Sequence, residues 1–187
     1  FTDRGARIGT RDEVFAADVL VQVNVMDGDA ASPELSKLRS GQVVIGAVGR
    51  VERQKRFDVL LRGLVPIFAT RPEVRLVLVG VGSLSNEIER LATDLGVAKQ
   101  CHFLGHREDI ADLHHAFDLF VQSSEYEGTP NAVLEAMAME TPLVMTDAGG
   151  SREIAVPDQH GLLVPIGDVE ALTSAIGRAI GDADGTR

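Results

Sequence analysis

The sequence predicts an α/β domain built on a doubly wound parallel sheet, with helices on both faces. Two observations predict it. Short, continuous apolar runs alternate with segments whose apolar residues recur at helical spacing, the pattern of strands buried on both faces and joined by amphipathic crossover helices. The glycines and most of the unusual charged residues cluster in the loops that leave those runs. In such a sheet, ligands lie beyond the carboxyl ends of the strands, near the point where the strand order reverses.

The elements follow in order. Residues 1–42 are the least regular and read as an arm or linker. Val19, Val21, Val23 and Val25 alternate with Leu20, Gln22 and Asn24 as a strand would, and Asp27 to Pro33 is a turn by composition. The compact domain is expected to occupy residues 43–187. Val43 to Val48 is the first strand, and Phe57, Leu60, Leu61, Leu64 and Phe68 mark the first helix. Leu76 to Val79 is the second strand; Ile88, Leu91, Ala92 and Leu95 mark a helix stopped by Gly96. Cys101 to Leu104 is a third strand, followed by a short helix through Ile110, Leu113 and Ala116. Leu119 to Val121 precedes a helix from Pro130 to Met139. Leu143 to Met145 is a fifth strand, and Gly161 to Val164 a sixth, before a closing helix through Val169, Leu172, Ile176 and Ile180.

The 187 residues suffice for one sizeable core, and a hydrophobic content of 44% with 25% charged residues is that of an ordinary globular chain. A net charge of −10 argues against nucleic acid as a partner, since phosphate backbones demand concentrated Lys and Arg. The single cysteine, Cys101, has no internal disulfide partner and lies in an apolar run, which fits a reducing, cytoplasmic compartment. No stretch approaches the roughly 20 apolar residues of a transmembrane segment.

Gly49 to Arg56 places four cations, Arg50, Arg53, Lys55 and Arg56, in one loop of an acidic protein. An arginine fork and a lysine point charge together suit a diphosphate. Arg50 and Lys55 are assigned that role, while Arg53 and Arg56 are read as solvent-facing. Gly80-Val81-Gly82 resembles a dinucleotide fingerprint, but Ser85 stands at the third glycine and no acid follows about 20 residues on. A nicotinamide cofactor is disfavoured, although the glycines permit close backbone approach to a ligand. His106, Asp109, His114 and His115 match no definite metal-ligand spacing, so no metal site is assigned. Asp27 and Asp29 are read as a polar turn, and no Ser–His–Asp or Cys–His arrangement stands out.

Ser123 to Ala138 is the most informative stretch. Thr129 is the expected N-cap of a helix with Pro130 at its first position, which would leave free N–H groups for a phosphate. Glu127 and Glu135 bracket that mouth with seven residues between them, and Asn131 lies one turn before Glu135 on the same face. Cations for a diphosphate and carboxylates for sugar hydroxyls together suit a nucleotide sugar.

Gly49-Arg50 with Lys55, Gly80-Val81-Gly82, Leu104-Gly105-His106-Arg107, Glu127 to Ala138, Gly149 to Ile154 and Gly161 to Pro165, in that order, resemble the donor-binding half of the GT-B retaining glycosyltransferases of group 1, also called family four. The resemblance runs from about Val43 to Gly181 and implies a Rossmann-like domain, one half of a GT-B fold. It implies a donor of UDP or GDP type, no cofactor, and no metal ion, with Arg50 and Lys55 neutralising the departing diphosphate and Glu127 beside the transferred sugar. Glu135 would accept from the ribose hydroxyls. The backbone of Gly128, Thr129 and Pro130 would line the sugar and phosphate subsite, Gly49, Gly82 and Asn131 would also bind the donor, and His106 and Arg107 would border the base. An acceptor glycan or lipid would be bound by an N-terminal domain that residues 1–42 are too few to supply, and any approach to the inner face of the membrane would be made through that domain.

Two departures stand out: Arg56 where the family usually has glycine, and Gly128-Thr129-Pro130-Asn131 after Glu127. A nucleotide-sugar epimerase or phosphorylase of the same architecture, or a non-enzymatic nucleotide-binding module, are the alternative readings.

Overall fold

A computed structural model describes residues 41–154 and 161–183, apart from the side chains of Arg152, Asp182 and Ala183. The expected N-terminal arm, with its strand and its Asp27–Pro33 turn, lies outside the described residues. Six strands, β1 (Val43–Val48), β2 (Val74–Val79), β3 (Cys101–Phe103), β4 (Leu119–Gln122), β5 (Leu143–Thr146) and β6 (Leu162–Val164), alternate with helices α1 (Phe57–Thr70), α2 (Ser85–Asp94), α3 (Ile110–Ala116), α4 (Asn131–Ala138), α5 (Ser151–Ile154) and α6 (Val169–Ala183). The strand and helix rhythm of the sequence is therefore present; the one-turn helix α5 is too short to show a period.

The strands form one parallel sheet in the order β3-β2-β1-β4-β5-β6. Successive side chains point to opposite faces, and both faces are covered. Ile45, Ala47, Leu76 and Leu78 pack with α1 and α6, whereas Val44, Val77, Val79 and Phe120 pack with α3 and α4. This is why the central strands read as uninterrupted apolar runs. Gly46 has a separate reason: a Cβ there would come within 2.1 Å of the Phe117 ring, which lies over β1. On the other face, Thr173 Oγ1 donates to the Gly63 carbonyl at 2.9 Å, joining α6 to α1.

The chain leaves β1 toward β2 on one side, then returns to the other side of β1 with β4. The strand order reverses there, which marks the carboxyl ends of β1 and β4 as the place for a ligand crevice.

On β3, next to β2, burial pushes the His102 imidazole below its ordinary value of 6.5, with the Arg75 charge adding to the effect, and its Nε2 has no hydrogen-bond partner among the described residues. The unfolded chain therefore takes up this proton more readily than the folded one, so the contribution of a neutral His102 is present above pH 6.5 and lost as pH falls toward the folded value. Denaturant midpoints are expected to drop as pH is lowered from about 7.5 to about 5, and His102→Phe is expected to flatten that part of the profile. An unaltered slope in the variant would assign the acid sensitivity to other groups.

Candidate functional site

Five loops meet at the carboxyl edge of the sheet, and backbone and side-chain hydrogen bonds tie them together. After β1, Gly49 N–H donates to Val79 C=O at 2.9 Å and Val51 N–H to Val81 C=O at 3.0 Å, so the loops following β1 and β2 continue their strand pairing. Glu52 accepts from both the backbone N–H and the Oγ of Ser83, at 2.9 and 2.6 Å. Gly80 N–H donates to Gly105 C=O at 2.7 Å, adding the loop after β3. The β1 and β4 loops are joined by Glu125 N–H to Gln54 C=O at 2.8 Å, Gln54 Nε2 to Tyr126 C=O at 2.8 Å, and Ser123 Oγ to Lys55 C=O at 2.8 Å. Thr146 Oγ1 then donates to Ser124 C=O at 2.6 Å. At the positive-φ position Gly149, a Cβ would come within 2.2 Å of the Glu127 carbonyl oxygen, so the loop after β5 seats directly on the glutamate loop.

Between these loops lies a cleft of about 440 Å³. Gly49, Arg50 and Lys55 line it from the β1 loop, His106 and Arg107 from the β3 loop, and Glu127, Thr129, Asn131 and Glu135 from the β4 loop and α4. Gln54, Val81 and Ile110 also line it. In sequence nothing distinguishes Gln54, a polar residue between two cations, because its loop-bridging bonds depend on tertiary contact. Of the residues expected at the site, Gly82, Gly128 and Pro130 are not among its lining residues. Gly82 is closely packed, since a Cβ there would lie 2.2 Å from the Val51 carbonyl oxygen, and its N–H meets Ser85 Oγ at 3.0 Å.

The start of α4 differs from the expectation. Thr129 makes no side-chain cap, and Pro130 occupies the N-cap with φ −79° and ψ 82° rather than the first helical position. Those angles are near an inverse γ-turn, which Asn131 N–H closes on the Thr129 carbonyl at 3.0 Å. The turn engages one first-turn amide within the chain and sets Pro130 back from the cleft.

The charges in the cleft are coupled. Lys55 Nζ lies 2.6 Å from Glu127 Oε1, with the two side chains 18% and 6% exposed, and Ser124 Oγ donates to the same oxygen at 2.6 Å. The cation assigned to the diphosphate and the carboxylate assigned to the sugar are therefore in direct contact. Both donors converge on Oε1, which leaves Oε2 as the less engaged acceptor. Arg50 is exposed. Arg107 forks onto Asp109, with Nε to Oδ1 at 2.8 Å, and holds that carboxyl below its ordinary range. Glu135 is 41% exposed, and the Nε2 of the buried His114 lies 3.8 Å from its Oε2.

Arg53 is exposed as expected, but Arg56 is half-buried. It takes a left-handed conformation, φ 47°, the backbone reason for glycine at this point. Its guanidinium forks onto Asp58 at 3.0 and 3.3 Å and approaches Glu125 at 4.0 Å, contacts that offset the backbone cost.

Among the described residues, no group of three or more His, Cys, Asp or Glu is arranged to hold a metal ion, and no helix is long and apolar enough to cross a membrane. Cys101 is buried, and burial pushes its thiol up to about 12.

An all-parallel sheet of this order, open at its switch point, defines a Rossmann-like α/β domain. The comparisons with known proteins are specific: residues 42–182 match the model of the group 1 glycosyl transferases, and the chain belongs to that family. It is 35% identical over 139 residues to the lipopolysaccharide core biosynthesis glycosyltransferase LpsE of Rhizobium meliloti, covering 74% of this chain and 40% of that one. Anabaena Alr3699/HepE, solved in complex with UDP-glucose, is 30% identical with a TM-score of 0.73, over 83% of this chain and 45% of that one. The C-terminal domain of the group 1 family protein LpcC from Francisella tularensis is 26% identical with a TM-score of 0.71, over 77% of this chain and 78% of that one. The resemblance carried by the loop motifs is thus correct, and the fold is that of a GT-B C-terminal domain.

Proposed function

We propose that this domain binds a nucleotide-diphosphate sugar of UDP or GDP type and supports transfer of its sugar to an acceptor with retention at the anomeric carbon. The observation that carries the reading is the convergence of Arg50, Lys55, Glu127 and Glu135 on one cleft at the switch point. When the bond from the anomeric carbon to the diphosphate oxygen breaks, negative charge grows on that oxygen. Arg50 and Lys55 stabilise that charge from prepositioned loops without recruiting a metal ion. Lys55 then divides its three donors between the diphosphate and Glu127. Glu127 orients the sugar through Oε2, and Glu135 accepts from the ribose hydroxyls. His106 and Arg107 border the base.

The chain spans about 40% of the length of the relative LpsE. The acceptor, a glycan or lipid, is assigned to the other half of the full-length protein, and the isolated domain is expected to bind nucleotide and transfer little. Buried Cys101 fits a reducing, cytoplasmic setting.

Calorimetry with UDP, GDP and ADP tests the donor role. One diphosphate is expected to bind, and Glu135→Ala to weaken it about tenfold, the size of a hydrogen bond to a charged group. Unchanged affinity in that variant would remove the ribose role, and failure of all three nucleotides to bind would sink the donor reading.

A further inference from the structure

His114 is buried, with its side chain 0% exposed. The ring packs against Phe117 and Phe120, with centroids 5.4 and 5.2 Å away, yet neither Nδ1 nor Nε2 has a hydrogen-bond partner among the described residues. A buried imidazole in that state has lost water and gained nothing in return, and an apolar ring would fill the same aromatic slot without that loss. The nearby carboxylate is Glu135 on the neighbouring helix α4, its Oε2 3.8 Å from His114 Nε2. That separation exceeds a hydrogen bond by about 1 Å, a gap that rotation of the Glu135 side chain closes. Glu135 also lines the cleft, so one residue adjoins both the imidazole and the ligand space.

We propose that His114 is a positioning residue for Glu135: its Nε2–H donates to Oε2 when nucleotide binds, fixing the carboxylate so that the other oxygen meets the ribose diol. The inference rests on the reading of Glu135 as the ribose acceptor. The neutral imidazole suffices, since its Nε2–H tautomer is a donor. Hydrogen bonds that are long in a free protein can tighten once its ligand is bound, and a carboxylate held in one rotamer forfeits less freedom on binding. His114 would then act on ribose recognition without touching the nucleotide.

The test compares the ribonucleotide with its 2′,3′-dideoxy counterpart, using whichever of UDP and GDP binds the full-length protein more tightly. His114→Phe keeps the aromatic packing and removes the donor. It is expected to raise the Kd of the ribonucleotide about fivefold while leaving that of the dideoxy compound unchanged. His114→Gln retains an N–H donor and is expected to recover most of the preference. In a Glu135→Ala background, His114→Phe is expected to add no further loss, because the two residues act as one unit. If His114→Phe does not fold, His114→Met fills the slot flexibly and carries the same expectation. Equal weakening of both ligands by the apolar variants would show a packing role and overturn the inference. So would an intact ribose preference in those variants when Glu135→Ala abolishes it, an outcome that leaves the donor reading standing. If Glu135→Ala itself leaves the ribose preference unchanged, the reading beneath the inference fails and the inference with it.

Discussion

Replacing Lys55 by alanine is expected to lower kcat/KM for the sugar donor in the full-length protein by about 10²–10³-fold, the usual cost of removing one prepositioned group that stabilises developing charge. The structure adds a second consequence. Lys55 and Ser124 both converge on Glu127 Oε1, and the Glu127 side chain is only 6% exposed. Deleting the ammonium strands a nearly buried carboxylate with a single neutral donor, which costs about 2–3 kcal/mol of stability. The two effects separate in a double variant. Adding Glu127→Gln to Lys55→Ala removes the stranded charge and is expected to restore much of the thermal midpoint while leaving the activity low. If activity returned together with stability, Lys55 would be a scaffold for the loop and not a group that acts on the diphosphate.

Gly80→Ala is expected to destabilise the domain by at least about 3 kcal/mol, combining backbone strain with overpacking. Gly80 has φ 134°, and a Cβ there would lie 1.9 Å from the Gly49 carbonyl oxygen and 2.8 Å from its carbonyl carbon. The obstacle is backbone, which has no rotamer to yield. The β1 and β2 loops would have to part, breaking the Val51 N–H to Val81 C=O bond and moving Arg50. Gly128→Ala is the control, since a Cβ at Gly128 would meet nothing within 4 Å among the described residues; it is expected to change the urea midpoint little. Comparable midpoints for the two variants would mean that the loops separate freely.

Much of the fold is legible in the sequence because the central strands are buried on both faces, which forces continuous apolar runs, and because crossover helices show one apolar stripe. Val43 to Val48 and Leu143 to Met145 announce themselves in this way. The start of α4 departs from its sequence reading because Thr-Pro ahead of a helix has two local solutions, and the choice between a capped first turn and an inverse γ-turn depends on where the loop is anchored. Arg56 reads as solvent-facing because a cation in a basic loop shows nothing of its partners; only its place where the family usually has glycine points to the left-handed φ that it takes.

The sequence by itself determined the parallel α/β class, the order of the loop motifs and the residue types available at the cleft, because these follow from periodicity and local chemistry. The strand order, the Lys55–Glu127 contact, the bridging by Gln54 and the approach of His114 to Glu135 were decided only in the tertiary structure. Each joins residues far apart in the chain, and whether two such side chains meet is set by the packing of loops and helices on the sheet, to which neither local segment contributes a signal on its own.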